Sequence, residues 1–164
     1  PEVEDKAKRL GIALARLGAI VITGGNGGLM TVVAEAARKA GGITVGILAR
    51  ELEDIGPDHP WFNPHNTVKI RTGQTFTSRS SIVVRSSDAV IVVAGGVGTL
   101  TEVSIAYNLR RPIVVLRGTG MLADRLPIMF PDGYIDHRRL VKMHFLEAPE
   151  EAAKLAKDLA RGIA

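Results

Sequence analysis

Two charged residues stand where their type and surroundings could do chemistry. Glu102 ends the stretch AGGVGTLTE (94–102), which holds Gly95, Gly96 and Gly98, and Arg79 lies in QTFTSRSSIVVRSS (74–87). Thr99-Leu100-Thr101-Glu102 has the spacing of a capping box, in which a threonine and a glutamate satisfy the orphan amides of a helix start. Two readings of Glu102 follow: a cap, or a carboxylate held beside a ligand. Near the positive end of a helix a carboxylate is held ionised. An ionised carboxylate facing a sugar is what an oxocarbenium-like transition state requires. A proton-donating role would need a raised pKa, which that location disfavours. Arg79 is equally open. In the first turns of a helix a cation opposes the dipole, so it either answers an anionic ligand or is a solvated surface side chain. Arg85, two turns on, reads as surface.

Two glycine loops supply the rest of a site. Gly24-Gly25-Asn26-Gly27-Gly28-Leu29-Met30 follows a strand-like run and precedes a helical one. Such a junction brings free amides to the positive end of a helix, a setting that favours phosphate. Its glycines either leave room for a ligand or allow a tight turn with close helix–strand packing. The pattern is neither GxGxxG nor GxxxxGK[ST], so neither a dinucleotide fingerprint nor an ATPase loop is supported. Gly95-Gly96-Val97-Gly98-Thr99 repeats the arrangement, and the hydroxyls of Thr99 and Thr101 could add to its amides. Together the loops could hold one phosphorylated ligand between them.

The elements that must position these residues follow from periodicity. Helical spacing marks 2–17, closed by Gly18, then 28–40, closed by Gly41 and Gly42, about 99–109, and 150–161 behind Pro149. Apolar runs at 19–25, 44–48, 67–72, 88–96, 112–118 and 141–146 read as strands. Residues 49–66 and 119–139 read as loops, with a short helix near 121–128. The segment 74–87 contains the strand-like run Ile82-Val83-Val84. A parallel crossover between 67–72 and 88–94 nevertheless needs a helix there. Val/Ile strands alternating with helices make a doubly wound α/β domain with a parallel sheet, whose ligands bind beyond the carboxyl ends of the strands. Both glycine loops fall at those ends.

Composition narrows the classes. One domain is the natural reading of 164 residues. No cysteine is present, which excludes disulfides and thiolate chemistry. No signal peptide or membrane-length apolar run is visible, so a cytoplasmic protein is expected. The net charge of +4 is mild and its residues are scattered, and Trp61 is the only tryptophan. Nucleic acid is therefore disfavoured as a partner, and a small anion is preferred. His59, His65, His137 and His144 show no metal-ligand spacing, so no metal is expected. No GxSxG elbow is present. Asp124 and Asp132 read as turn or cap residues.

At the two glycine loops the sequence resembles a known family. Gly95-Gly96-Val97-Gly98-Thr99-Leu100-Thr101-Glu102 is similar to the PGGxGTxxE motif of the LOG family, once labelled "possible lysine decarboxylases". Gly24-Gly25-Asn26-Gly27-Gly28-Leu29-Met30 is similar to its GGxxGLM segment. The resemblance covers nearly the whole chain, is closest to a prokaryotic branch, and extends distantly to the DNA-processing protein DprA. It implies a single Rossmann-like, three-layer domain over 1–164 that forms a homodimer or higher homo-oligomer. The implied reaction is hydrolysis of the N-glycosidic bond of a nucleoside 5′-monophosphate to free base and ribose 5-phosphate, without cofactor or metal. The family's MHxRK segment falls on Phe76-Thr77-Ser78-Arg79-Ser80. Arg79 and Glu102 thus match the catalytic pair, Glu102 stabilising the cationic sugar and Arg79 orienting the ligand. The residues implied to bind ligand are Gly24, Gly25, Asn26, Gly27, Gly28, Met30, Gly95, Gly96, Val97, Gly98, Thr99 and Thr101.

The sequence departs from the family in three places. The motif proline is Ala94, Phe76, Thr77 and Ser80 replace residues around the arginine, and the family's opening strand and glycine loop have no counterpart after Pro1. That strand would lie centrally in the sheet, so its absence would leave a gap, and residues preceding Pro1 are expected. A non-catalytic carrier of a nucleotide or a phosphorylated cofactor such as molybdenum cofactor is the main rival reading. DprA-like binding of single-stranded DNA lacks a basic stripe and stacking aromatics. Lysine decarboxylation lacks a lysine in a pyridoxal phosphate context.

Overall fold

The computed structural model describes residues 1–164. Six helices and six parallel strands follow one another, alternating except between β2 and β3, where only a 3-10 turn (Arg50–Leu52) intervenes: α1 (Glu2–Arg16), β1 (Val21–Thr23), α2 (Leu29–Lys39), β2 (Thr44–Leu48), β3 (Val68–Arg71), α3 (Phe76–Arg85), β4 (Val90–Val93), α4 (Val97–Asn108), β5 (Ile113–Leu116), α5 (Met121–Met129), β6 (Met143–Leu146) and α6 (Pro149–Ala160). The segment 74–87 holds the helix α3, as the crossover rule requires. Leu17 closes α1 with Gly18 beyond it at φ +75°, and Pro149 occupies the first turn of α6.

The strands form two parallel sheets of order β1-β2-β3 and β4-β5-β6, and no ladder joins them. Helices cover both faces of β5, whereas all four residues of the edge strand β3 are exposed. β5 shows why the strands read as unbroken apolar runs, since all four of its side chains are buried. Ile113 and Val115 pack with Val84, Val103, Ala106 and Leu126 of α3, α4 and α5. Val114 and Leu116 point the other way, toward Leu10 of α1 and Ala152, Ala153 and Ala156 of α6. This is the alternation of a strand buried on both sides, and it defines a three-layer, Rossmann-like arrangement.

α1 ties the two sheets together. Its Leu10 belongs to the α6 cluster, while Ala7 packs with Val21, Val33 and Ala37 of β1 and α2. At Gly11 the backbones come so close that a Cβ would lie 2.5 Å from the Val33 carbonyl oxygen. Arg9 adds a two-pronged bond to Glu150 of α6, at 2.8 and 2.7 Å. No helix is long and apolar enough to cross a membrane.

Candidate functional site

Both glycine loops emerge at the carboxyl ends of parallel strands, after β1 and after β4. In the first, three of four glycines are required by the protein itself. A Cβ on Gly24 would lie 2.5 Å from Nη1 of Arg79. Gly25 turns at φ +73° against Leu48, and Gly27 lies against the backbone of Pro60 and Trp61. Gly28, at φ +69°, has nothing within 4 Å of its missing side chain. It is the N-cap of α2, with no side-chain cap. Asn26 is held by its carbonyl, which accepts from the Thr31 hydroxyl at 3.2 Å and from Nδ2 of Asn63 at 3.0 Å. Its own Oδ1 is buried without a partner. Met30 is half-buried in the first turn of α2.

The second loop leaves its helix end open. α4 starts at Val97 with Gly96 as N-cap, and no side chain caps it. The capping box expected from Thr99-Leu100-Thr101-Glu102 does not form, because the helix begins three residues earlier than that spacing suggests, with Gly96 as N-cap. Thr99 instead packs onto Gly95, and the Thr101 hydroxyl donates to the Val97 carbonyl at 3.0 Å. Gly96, Val97 and Gly98 are exposed. The start of α5 next door is closed, since the Asp124 carboxylate accepts from the amides of Gly118 and Gly120 at 2.6 and 2.8 Å. Its Leu122 and Ala123 amides donate to Gly95 and Ala94 carbonyls. Of these two neighbouring helix starts, only that of α4 can offer its amides to an anion. Asp124 is thus a cap, and Asp132 accepts from the Tyr134 amide in a turn. Ala94 sits at φ +49° and its N–H donates to the Thr119 hydroxyl at 2.8 Å. Proline could do neither, so this loop has settled on a conformation that the motif proline would forbid.

Arg79 is no solvated surface residue, being only 6% exposed. Its Nη1 donates to the carbonyls of Gly24, at 2.5 Å, and Ile47, at 2.7 Å, which end β1 and β2. Nε is buried without a partner. Burial lowers its pKa, opposed by the charges of Glu102 and Glu51. Glu102 is half-buried on α4, which packs against α3. Its carboxyl is raised above the ordinary value because burial outweighs the attraction of Arg79 and the influence of the Ser80 hydroxyl. A position near a helix start favours an easily ionised carboxyl. Burial overrides it because Glu102 lies beyond the first turn, where the dipole is weak. Arg85 is exposed, as read from the sequence.

Segment 49–66 contributes what sequence reasoning did not assign to the site. Asn63, 2% exposed, bonds the glycine loop, and Trp61 covers Gly27. No group of three His, Cys, Asp or Glu side chains is arranged to hold a metal ion.

Residues 1–153 match the profile of the SLOG cluster4 family. Over 113 residues the chain is 37% identical to the cytokinin riboside 5′-monophosphate phosphoribohydrolase of Mycobacterium tuberculosis, covering 65% of this chain and 55% of that protein. The chain thus spans about half the length of that relative. A structural-genomics crystal structure superposes with a TM-score of 0.86 at 37% identity, covering 96% of this chain and 88% of that one. The molybdenum cofactor binding protein from Rippkaea orientalis gives a TM-score of 0.77 at 28% identity, covering 97% and 88%. DprA from Streptococcus pneumoniae, at 15% identity and a TM-score of 0.68, shares the fold alone.

Proposed function

The chain belongs to the SLOG cluster4 family, and we propose that it hydrolyses the N-glycosidic bond of nucleoside 5′-monophosphates. The observation that carries this reading is a buried Arg79 on α3 and a half-buried Glu102 on α4, near enough for their charges to act on each other, beside the uncapped start of α4. The phosphate binds the amides at Gly96–Gly98, where no carboxylate competes in the first turn. Water attacks C1′ as the bond to the base breaks. The bonding pair leaves with the base, which takes up a proton, and Glu102 accepts the proton of the attacking water. Its raised pKa makes it the stronger base, and its charge balances the cationic sugar. Arg79, clamped by two carbonyls, acts through its charge. Incubation with AMP and other monophosphates is expected to release free base and ribose 5-phosphate, and no turnover with any of them sinks the reading.

The acid limb of kcat/KM follows from Glu102. A raised pKa means the limb lies above the ordinary glutamate value of about 4.3. Ser80→Ala removes a hydroxyl whose influence lowers this pKa, so the limb is expected to move further up. A limb at or below the ordinary value would remove Glu102 as the ionised group required.

The active form is proposed to be a homodimer. Val97 is 83% exposed, Leu100 43% and Met121 61%, an apolar group at the start of α4 and α5 that a second subunit would cover. Leu100→Glu is expected to convert the dimer to monomer in light scattering. An unchanged mass would place the interface elsewhere.

A second reading keeps the ligand and drops the cleavage. The altered surroundings of Arg79, with Phe76 and Ser80 beside it, and the match over 88% of the Rippkaea orientalis protein favour a carrier of a phosphorylated pterin-type cofactor. An intact ligand found by mass spectrometry of the purified protein, without turnover of AMP, would decide for it.

A further inference from the structure

We infer that Trp61 is the specificity-determining platform on which the planar heterocycle of the ligand stacks. The inference rests on the proposed reading that a nucleoside monophosphate occupies the Arg79–Glu102 site. Aromatic residues are only 4% of this chain, and its one tryptophan is 52% exposed. Its open half presents a flat π face with a polar N–H at the edge, the shape of an aromatic ligand platform. Its position is fixed from two sides. Gly27 of the first glycine loop has no side chain, and the backbone of Trp61 fills that place, 3.1 Å from where a Cβ would be. The indole then meets the Phe76 ring edge-to-face, with centroids 6.2 Å apart. His59 braces it from another direction at 5.8 Å. Phe76 in turn lies 5.7 Å from the Arg79 guanidinium carbon.

These contacts form a continuous line from the charged pair to an open aromatic surface. A nucleotide has the same order of parts: an anionic end, a sugar that reacts, and a flat base beyond it. With phosphate at the start of α4 and C1′ beside Glu102, the base is directed toward Phe76 and Trp61. Stacking tolerates any flat ring, because each base has a π face. The platform therefore selects for a heterocycle as a class, and the atoms at its edges select among heterocycles.

A single tryptophan makes the test direct. Titration with AMP and with ribose 5-phosphate is followed by tryptophan fluorescence and by calorimetry, in the wild-type protein and in Trp61→Leu and Trp61→Phe. AMP is expected to quench the fluorescence, whereas ribose 5-phosphate binds without quenching. Trp61→Leu should weaken AMP about tenfold and leave ribose 5-phosphate unchanged, with Trp61→Phe retaining most of the AMP affinity. Equal AMP affinity in wild type and Trp61→Leu overturns the platform while leaving the phosphoribohydrolase reading intact. Failure of AMP to bind the wild-type protein overturns both.

Discussion

Glu102→Gln is expected to slow release of free base by orders of magnitude and to make the protein more stable at neutral pH. The two effects share one cause. Burial raises the pKa of Glu102 even after the attractions of Arg79 and Ser80 are counted, so the folded state holds an ionised carboxylate at a net cost. A raised folded pKa contributes stability that is complete below the unfolded value of about 4.3 and is lost as pH rises through the folded one. Glutamine keeps the shape and never ionises. Its advantage should thus be absent near pH 4 and present at pH 8, seen by calorimetry as a Tm gain of about 2–4 °C for each kcal/mol at this chain length. Removing the group that receives the proton should lower kcat by about 10²–10⁴-fold. Full activity would place the chemistry elsewhere. A lower Tm at pH 8 would mean that the attraction to Arg79 exceeds the cost of burial.

The fold was legible because a doubly wound sheet writes itself as alternating periods. Ile113 to Leu116 are buried on both faces, so their run is unbroken, and the Ile82-Val83-Val84 run yields to the crossover rule because connection geometry overrides propensity. The start of α4 was misread for a local reason. A threonine and a glutamate three apart announce a cap, whereas Gly96 caps with backbone alone and leaves no side-chain signal. The charged pair was visible as residue types beside glycines. The burial that sets its protonation was not, because it arises from α3 packing on α4. Trp61 and Asn63 were invisible as site residues for a similar reason. Their partners, Gly27 and Asn26, lie more than thirty positions earlier, and nothing local in a Pro-rich loop says which glycine it will cover.

The first glycine loop admitted two readings, room for a ligand or room for the protein, and Gly24→Ala separates them. Gly24 is outside the left-handed region, so alanine meets no backbone penalty and the change is steric. The new Cβ would lie 2.5 Å from Nη1, 2.9 Å from Cζ and 3.0 Å from Nη2 of Arg79. The guanidinium cannot retreat without giving up the Gly24 and Ile47 carbonyls that hold Nη1. Displacing it strands two buried carbonyls, at a cost of about 1–3 kcal/mol each in urea unfolding, and weakens the counter-charge that acts on Glu102. The acid limb of activity should move up, since the attraction that lowers the Glu102 pKa is gone. Arg79→Met supplies the control. If Gly24 is small for the sake of Arg79, alanine should cost little once the arginine is absent, and the double variant will be far less destabilised than the sum of the two single ones. Additive losses in stability would assign Gly24 to something other than the arginine. A loss of AMP affinity from Gly24→Ala that persists in the Arg79→Met background would assign it to the ligand.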